Sequence, residues 1–454
     1  MTSGTKNPEI EKKINELYSL ILKKQESINQ IQAADPSKKG LIESKLKTFE
    51  DNRGKGFFYP YLTEGEGHGP FSKLIDGSIK YDLIEGIGFN LFGHSPSFFI
   101  KSCLEAATVD SVMCGNLQPY TQAMDLTVEM MKSVEGTKLK HFWFAGSGSF
   151  ANDMALKLLW QKQAPKYTLI AFTKAFAGRS IATQDITYNE SYRELMPKSI
   201  NVKHAPHFDQ KNPADSLKNT LTALKKIKAE DKDGICALSI ELIQGEAGFV
   251  YGTKEYYEGI FEWAKENGIY VWVDEVQTFG RTHELFAFQM FGLEKYVDIV
   301  TVAKALQIGG VLYSEALNPK PGLIAGTFNG SLASIIAGKN ALRFLREGNF
   351  YGSNGRIAQI EAAFKQRFQQ LSTGSCKGKI GYFGGIGTMI SFEVGDSSNE
   401  VTDKYIRKLF DNGLICFKAG KDPVRVRFLL PVSLTEDHIN EIFQIIEKTA
   451  HEVL

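Results

Sequence analysis

The chain has 454 residues, of which 43% are hydrophobic and 23% charged, a composition typical of soluble globular proteins. Because 53 basic residues nearly balance 52 acidic ones, we expect neither nucleic acid nor a membrane surface as a partner. No stretch approaches the roughly 18 apolar residues of a membrane span, the N-terminus lacks an apolar signal core, and the cysteines form no CxxC pair. The composition favours a cytoplasmic enzyme without a bound metal.

The first predicted element is one long helix over 8–34. Apolar residues recur there every three or four positions, and Lys, Glu and Gln fill the other face. This pattern predicts a helix packed on the body of the protein or on a partner subunit. Pro36 marks its end, since proline disfavours helical geometry in the preceding residue. Residues 50–80 are rich in Gly, Pro and aromatic side chains and predict an extended loop region.

Between about 105 and 320, short apolar runs alternate with helical patterns. Parallel strands that helices bury on both faces have this signature. The predicted strands are 139–145, 167–172, 236–241, 269–274 and 297–302, with helices over 149–163 and 254–267. The sequence therefore predicts an α/β fold with a mostly parallel central sheet and flanking helices.

The C-terminal part follows a different pattern. Its predicted elements are a helix over 333–346, a two-part strand region over 380–394, a helix over 400–412, strands near 413–417 and 424–429, and a helix over 434–450. These elements predict a smaller α+β domain. The expected organisation is an N-terminal helix with a segment of the small domain over 1–104, a large α/β domain over 105–335 and the small domain over 336–454.

The first candidate site follows the strand 139–145. Gly146, Ser147, Gly148 and Ser149 come next and lead into a helix. Glycines let the backbone approach an anion, and the start of a helix offers free N–H groups. The segment predicts a phosphate-binding cup; the alternative is a tight strand-to-helix turn with Ser149 as the N-cap.

Two further candidates stand at strand ends, where ligands bind in open α/β sheets. Asp274 ends an apolar strand, where it would hold a cationic ligand nitrogen or, alternatively, cap the next turn or pair with an arginine. Lys304 follows the strand 297–302 after Ala303. A desolvated lysine amine can form an imine, whereas the alternative is a solvated loop lysine.

A phosphate cup, an anion for a ring nitrogen and an imine-forming lysine are together the contacts that pyridoxal 5′-phosphate (PLP) needs. The chain resembles the class III aminotransferases of fold type I from about Tyr81 to its C-terminus. Eight segments in the family's order carry the resemblance: YDLIEGIGFNLFGH (81–94), FAGSGSFAND (144–153), FAGRS (176–180), ELIQGEAG (241–248), VDEVQTFGRT (273–282), DIVTVAKAL (298–306), GTFNGSLA (326–333) and VRFLLP (426–431).

The resemblance implies roles around the cofactor ring. Lys304 matches the lysine that forms the imine with PLP and carries the proton, and Asp274 matches the aspartate that keeps the pyridine nitrogen protonated. Gln277 matches a residue that contacts the phenolic oxygen of the ring. Phe176 matches the aromatic side chain stacked on the ring face. The large domain is therefore expected to bind PLP.

The phosphate end is assigned in the same way. Ser147, Gly148 and Ser149 match the phosphate cup, and Thr327 matches a threonine that reaches the phosphate from the neighbouring subunit. The resemblance thus implies a homodimer with a shared active site.

Three positions bear on the substrates, which would be an amino acid and a 2-oxo acid. Arg427 resembles the arginine that binds the α-carboxylate of glutamate or 2-oxoglutarate, and Glu246 resembles the gate glutamate that pairs with it. The alternative for each is a structural ion pair. Ile87 falls where 4-aminobutyrate enzymes carry isoleucine, and Glu241 matches a second family glutamate with a structural role.

The sequence also departs from the family pattern. Ala177 replaces the usual histidine of FHGR, and Phe150 replaces the usual glutamate of SGxEAN. The segments ALQIGGVL and GTFNGSLA are more similar to the lysine 6-aminotransferase and 4-aminobutyrate aminotransferase branch than to the acetylornithine branch. These departures leave the cofactor contacts in place and concern the substrate.

Three hypotheses follow from the resemblance. The leading one is transfer of a terminal amino group from 4-aminobutyrate, lysine, ornithine or acetylornithine to 2-oxoglutarate. The second keeps the fold and PLP but makes the protein an aminomutase, racemase or decarboxylase. The third is a family member with a binding role and no catalysis.

Overall fold

The computed structural model describes residues 7–59, 61–109, 113–115, 117 and 119–454. The chain forms two compact units, the first made of Met1–Lys101 and Gln359–Leu454 and the second of Ser102–Ala358. None of the helices in the described part of the chain is long and apolar enough to span a membrane.

Helices and strands follow one another along most of the described part of the chain. The helices are α1 (Pro8–Gln25), α2 (Lys39–Arg53), α3 (Glu85–Gly88), α4 (Ser97–Ala106), α5 (Thr121–Ser133), α6 (Gly148–Gln163), α7 (Thr183–Ile186), α8 (Pro213–Glu230), α9 (Lys254–Glu266), α10 (Ala287–Met290), α11 (Leu332–Glu347), α12 (Arg356–Thr373), α13 (Asn399–Asp411) and α14 (Glu436–Val453). The strands are β1 (Thr63–His68), β2 (Phe71–Leu74), β3 (Ile79–Asp82), β4 (Met113–Cys114), β5 (Leu139–Ala145), β6 (Thr168–Phe172), β7 (Val202–Ala205), β8 (Ile235–Ile240), β9 (Ile243–Gln244), β10 (Val250–Tyr251), β11 (Tyr270–Glu275), β12 (Ile299–Val302), β13 (Gly309–Ser314), β14 (Gly330–Ser331), β15 (Ile380–Ile386), β16 (Met389–Val394), β17 (Leu414–Ile415), β18 (Phe417–Ala419) and β19 (Arg425–Leu429). Short 3-10 turns lie at Pro36–Lys38, Glu190–Tyr192, Lys304–Leu306 and Glu315–Leu317.

The second unit is built on a seven-stranded sheet with the order β5-β13-β12-β11-β8-β6-β7. The pairs β12–β11, β11–β8, β8–β6 and β6–β7 are parallel, and β13 runs antiparallel to both of its neighbours. Strands β6, β8, β12 and β13 are buried along their whole length, which explains their nearly continuous apolar sequences. Helix α6 contributes Met154, Leu158 and other apolar side chains to the core beside this sheet.

The structure confirms that the central sheet is mostly parallel and that its strands lie where the sequence predicted them. The five predicted strands correspond to β5, β6, β8, β11 and β12, and the two predicted helices correspond to α6 and α9. Strand β13 is a finding that the sequence did not predict, because its first residues, Gly309 and Gly310, have low strand propensity. A Cβ on Gly310 would lie 2.7 Å from Cζ of Phe142 in β5, so glycine is needed for this close pairing.

The first unit contains two four-stranded sheets, β1-β2-β3-β17 and β15-β16-β19-β18. The second of these is antiparallel and confirms the strand regions predicted over 380–394 and 424–429. Helices α13 and α14 also match their predictions, whereas α12 was not predicted. The expected loop over 50–80 is wrong, since β1 to β3 pair there as an antiparallel meander.

The single helix predicted over 8–34 is also wrong. Helix α1 ends at Gln25, and none of its residues is buried. Ile28 instead turns inward and is only 5% exposed, and the backbone of Gln32 exchanges hydrogen bonds with that of Ile79 in β3. Burial of an apolar side chain and pairing with a strand edge thus override the helical periodicity beyond residue 25.

Candidate active site

The start of α6 forms one wall of the site. Ser147 is the N-cap, and its Oγ accepts a hydrogen bond from the backbone N–H of Phe150 at 3.2 Å. The N-cap is therefore Ser147. The alternative interpretation of the sequence, which placed the N-cap at Ser149, is wrong. A Cβ on Gly148 would lie 2.8 Å from Cγ1 of Val276 and 3.3 Å from Cβ of Ala303. The glycine lets the first turn of the helix approach the ends of β11 and β12.

The segment after β6 faces the same turn. Gly178 has a left-handed φ of +123°, and a Cβ there would lie 2.9 Å from Cβ of Ser149. The hydroxyl of Ser149 accepts from the backbone N–H of Arg179 at 3.4 Å. Thr187 fixes the backbone of this segment through two hydrogen bonds. Its Oγ1 accepts from the N–H of Ala177 at 3.0 Å and donates to the carbonyl oxygen of Gly178 at 3.1 Å. The backbone of this segment is therefore held against the serine turn.

Asp274 lies at the carboxyl end of β11 and is 5% exposed. Its Oδ1 accepts from the N–H of Val276 at 2.9 Å, and its Oδ2 accepts from Nδ2 of Asn152 at 2.8 Å. Burial raises the pKa of Asp274 to about 6, and the two hydrogen bonds and the charge of Lys304 act in the opposite direction. Asp274 thus both caps the next turn and lies within the electrostatic reach of Lys304.

Lys304 opens the 3-10 turn that follows β12 and is half-buried. The pairing of Asp274 with Thr301 places the ends of β11 and β12 side by side, so that Lys304 follows on the same edge of the sheet. Lys304 has a left-handed φ of +51°, which costs a residue with a Cβ about 1–2 kcal/mol. Such strain is often found at functional positions, and the half-burial of Lys304 distinguishes it from the exposed Lys174, whose φ is +65°.

The side chain of Glu241 accepts hydrogen bonds from two further segments of the site. Its Oε1 accepts from the N–H of Phe176 at 2.8 Å, and its Oε2 accepts from the N–H of Gly245 at 3.1 Å. Burial raises the pKa of Glu241 to about 8, and the negative charges of Asp274 and Glu246 act in the same direction. Glu241 therefore positions Phe176 and is itself part of the same buried electrostatic cluster.

Gln277 packs against the backbone of Gly245. A Cβ on Gly245 would lie 2.8 Å from Cδ of Gln277, so glycine is required there. The Oε1 atom of Gln277 is buried and has no hydrogen-bond partner within the described residues. A buried amide oxygen without a protein partner can accept a hydrogen bond from a ligand or a water molecule.

The position of Thr327 is consistent with a role at the surface of this unit. Thr327 is exposed, and the neighbouring Phe328 is 69% exposed. The carbonyl oxygen of Phe328 lies 3.4 Å from where a Cβ on Gly146 would stand. The segment thus runs beside the beginning of the serine turn, and the contact of Thr327 with a neighbouring subunit stays a prediction.

The proposed substrate residues Arg427 and Ile87 belong to the first unit. Arg427 lies in β19, opposite Ser391 and Phe417 of the flanking strands, and is 1% exposed. Ile87 lies in α3, where it has a left-handed φ of +62°. Asp82 supports this turn by accepting from the N–H groups of Ile84 at 3.0 Å and of Glu85 at 2.8 Å. A β-branched residue in this conformation is rare, so the turn holds Ile87 in a defined place.

Sequence reasoning missed two groups that complete the site. Asn152 is 1% exposed, and its Nδ2 donates both to Asp274 and to the carbonyl oxygen of Ala177, at 2.7 Å for the latter. The second group is an aromatic stack: the ring of Tyr192 meets that of Phe176 edge-on at 6.0 Å, and the guanidinium carbon of Arg179 lies 4.2 Å from the centre of the Tyr192 ring. The available signal for Asn152 was its place in FAGSGSFAND (144–153), one of the segments that carry the family resemblance.

Comparison with known proteins identifies the family. The model of the class III aminotransferases matches residues 54–450. The chain belongs to this family. Class III aminotransferases are PLP-dependent transaminases that act on amino acids and oxo acids, so the resemblance, the enzyme class and the cofactor are confirmed.

Proteins similar to this class III aminotransferase cover more than four-fifths of its length. The acetylornithine aminotransferase of Archaeoglobus fulgidus is 26% identical over 387 residues, which cover 84% of this chain and 93% of that protein. The solved lysine aminotransferase of M. tuberculosis is 21% identical with a TM-score of 0.76, covering 85% of this chain and 93% of the other. The ornithine aminotransferase of Toxoplasma gondii ME49 is 20% identical with the same TM-score, covering 89% and 94%. These structures establish the fold type I architecture.

The residues of the second unit fit PLP. Asp274 is a buried acid that a protonated ring nitrogen could neutralise, and the half-buried Lys304 lies on the same sheet edge. The N-terminal turn of α6 offers N–H groups and serine hydroxyls to a phosphate. The side-chain amide of Gln277, three residues after Asp274, has a buried Oε1 without a hydrogen-bond partner in the described part of the chain. The chemistry of each end of the cofactor is thus matched.

Proposed function

We propose that this aminotransferase moves the terminal amino group of an ω-amino acid to 2-oxoglutarate. The observation that carries the proposal is the buried Asp274 within the electrostatic reach of Lys304, at the joint carboxyl edge of β11 and β12. When bound, PLP supplies an aldehyde for the donor amine and a ring that accepts electrons. The reaction then depends on how the chain binds the ring and moves one proton.

Each residue has a defined task in this proposal. Asp274 would hold a proton on the ring nitrogen, and the Nζ atom of Lys304 would take a proton from the donor carbon and pass it to the cofactor. Phe176 stacks on the ring and is positioned by Glu241. Gln277 is proposed to contact the phenolic oxygen of the ring. The phosphate is proposed to bind to the turn of Ser147, Gly148 and Ser149.

The relatives support a terminal amine as the donor group. Acetylornithine, after which several relatives are named, has its α-amine blocked, so only its terminal amine can react. The named lysine and ornithine enzymes share the fold. The donor candidates are therefore 4-aminobutyrate, lysine, ornithine and acetylornithine, and Ile87 is proposed to contact the donor.

The acceptor 2-oxoglutarate has two carboxylates and needs two cations. Arg427 is proposed to bind the α-carboxylate with its planar fork, and Glu246 is proposed as the gate residue for that arginine. Arg179 is an exposed cation three residues from Phe176, with its backbone bound to Ser149. We assign the second carboxylate to Arg179.

A homodimer with a shared active site is part of the proposal. Phe328, Leu117 and Met124 of the second unit are 69%, 90% and 65% exposed, and Phe328 adjoins Thr327. Large exposed apolar side chains are favoured at subunit contacts. We propose that Thr327 reaches the phosphate of the PLP bound by the neighbouring subunit.

Subunit mixing tests the shared site directly. Lys304→Ala and Thr327→Ala subunits are purified separately, then mixed and dissociated in mild denaturant before reassociation. A hybrid dimer contains one site with both Lys304 and the partner subunit's Thr327 intact, so activity returns above that of either parent. A mixture that stays at the sum of its parents would contradict the shared site.

A donor screen tests the reaction. The holoenzyme is incubated with each donor and 2-oxoglutarate, and glutamate is measured. The aminomutase, racemase and decarboxylase alternative is tested by adding donor without acceptor, because a transaminase then converts its cofactor to the amine form and changes its absorbance. Retention of the original absorbance with every donor that reacts would favour that alternative.

A further inference from the structure

Tyr192 lies between two residues with different proposed tasks. Its ring packs against the ring of Phe176 in a T-shaped arrangement, with the centres 6.0 Å apart and the planes at 88°. The guanidinium of Arg179 lies over a face of the same ring, with its carbon 4.2 Å from the ring centre. An edge-to-face aromatic contact and a cation–π contact are thus made by one side chain.

The position of Tyr192 is itself fixed. It closes the 3-10 turn Glu190–Tyr192, and the next residue, Arg193, anchors the turn. Nη1 of Arg193 donates to the carbonyl oxygens of Gln184 at 3.1 Å and Thr187 at 2.8 Å. Nε of Arg193 lies 3.8 Å from Oδ1 of Asp185, and the arginine side chain is only 10% exposed. The ring of Tyr192 is therefore presented by a buried charged anchor and does not stand on a free loop.

The same arginine is linked to the segment 176–179. Thr187, whose carbonyl accepts from Arg193, also clamps the backbone of Ala177 and Gly178 through its hydroxyl. Phe176 and Arg179 stand at the two ends of that clamped segment. The backbone of the segment is thus fixed by Thr187, and its two outer side chains meet on the ring of Tyr192.

We propose that Tyr192 is a positioning residue that couples acceptor binding to cofactor orientation. It supports Phe176 against the ring of PLP and holds the guanidinium of Arg179 in place for the second carboxylate of the acceptor. A carboxylate that binds Arg179 also fixes the guanidinium on the ring of Tyr192. The ring of Tyr192 in turn contacts Phe176, so binding at Arg179 restricts the position of Phe176. The inference rests on the proposed function, because both partners of Tyr192 have their roles from it.

Three variants separate the ring from its hydroxyl. Tyr192→Phe keeps the ring and serves as the matched control, whereas Tyr192→Leu and Tyr192→Met each remove it. PLP affinity is measured by titrating the cofactor-free enzyme and following its intrinsic fluorescence. Affinity for glutarate, an unreactive dicarboxylate, is measured on the holoenzyme through the cofactor absorbance. Both variants without a ring are used, so that poor folding of one does not decide the result.

The expected result is a loss of both affinities that depends on the ring. Without the edge-to-face contact, PLP affinity falls by about fivefold. Without the cation–π contact, glutarate affinity falls by about threefold. Tyr192→Phe keeps both within about twofold of the parent, since its ring has nearly the same quadrupole.

A double-mutant cycle tests the coupling itself. Arg179→Ala is combined with Tyr192→Leu, and the loss of glutarate affinity caused by Arg179→Ala is compared in the two backgrounds. The loss is expected to be smaller when Tyr192 is already replaced by leucine. Equal losses in the two backgrounds would overturn the proposal, as would ring-free variants that melt earlier but bind PLP and glutarate like Tyr192→Phe.

The two ligands also separate this inference from the proposed function. A parent enzyme that binds PLP but no glutarate would refute 2-oxoglutarate as acceptor, and the coupling with it. A parent that binds both, with ring-free variants that bind both equally well, would refute only the role of Tyr192.

Discussion

The side-chain amide of Asn152 joins the carboxylate of Asp274 to the backbone of the segment 176–179. Its Nδ2 donates to Oδ2 of Asp274 at 2.8 Å and to the carbonyl oxygen of Ala177 at 2.7 Å. A residue in the first helical turns of α6 thus orients the acid at the end of β11. Helix α6 thus contributes both to the phosphate end of the proposed PLP site and, through Asn152, to the ring-nitrogen end.

Removing this amide should weaken PLP binding. In Asn152→Ala, Asp274 loses a hydrogen bond to its charged form, which is worth about 1.5–3 kcal/mol, or roughly a 10- to 100-fold loss of PLP affinity. Titration of the cofactor-free enzyme measures it. The matched control is Asn201→Ala, whose Nδ2 donates to Thr168 and Asp233 away from the site. Equal PLP affinity in the two variants would contradict the role of Asn152.

Lys304→Ala should lower the rate of transamination by about 10³-fold or more, because the amine of Lys304 carries the proton in the proposed reaction. Borohydride reduction followed by peptide mass spectrometry should locate PLP on Lys304 in the parent enzyme and nowhere in the variant. Lys174→Ala is the control, since Lys174 also follows a strand and has a left-handed φ of +65°, but is exposed. Labelling of a different lysine in the parent enzyme would refute the assignment.

Three buried acids should make the cofactor-free enzyme less stable as the pH rises. Burial raises the pKa of Asp274 to about 6, of Glu275 to about 7 and of Glu241 to about 8. The folded chain therefore keeps protons that the unfolded chain releases near pH 4, so the free energy of unfolding falls between about pH 4 and pH 8. Melting temperatures measured across this range check the slope, which Glu241→Gln should flatten.

PLP should reverse part of this slope. A protonated ring nitrogen beside Asp274 lowers the pKa of that carboxyl, so the stabilisation that PLP gives should grow as the pH rises through about 6. The difference in melting temperature with and without PLP measures it. In Asp274→Asn this difference should lose its pH dependence near 6; an unchanged profile would show that Asp274 does not face the ring nitrogen.

Gly178→Ala should selectively weaken the phosphate cup. A Cβ at this position would press on Ser149, whereas a Cβ on Gly136, which has a left-handed φ of +83°, would meet nothing within 4 Å. Both substitutions cost about 1–2 kcal/mol of backbone strain, so Gly136→Ala controls for stability. Gly178→Ala should reduce affinity for PLP more than affinity for pyridoxal, which has no phosphate. Equal losses for the two ligands would contradict phosphate binding at this turn.

The residues that the sequence identified for the cofactor share one property: they stand at the ends of strands or directly after them. Ser147 follows β5, Asp274 is the last residue but one of β11, and Lys304 follows β12. Since parallel strands bring their carboxyl ends to one edge, the strand pattern alone placed Asp274 and Lys304 together. Helical periodicity alone gave a wrong prediction over 8–34, where α1 ends at Gln25 and none of its residues is buried.

The sequence by itself determined the buried parallel strands, the chemistry at their ends and, through ordered motifs, the family. Only the tertiary structure decided that Ser147 is the cap, that Asn152 and Glu241 orient Asp274 and Phe176, and that Tyr192 contacts both Phe176 and Arg179. The reason is physical: strand burial follows from local side-chain polarity, whereas hydrogen bonds and ring contacts between residues distant in the chain depend on where the folded backbone places each donor and acceptor.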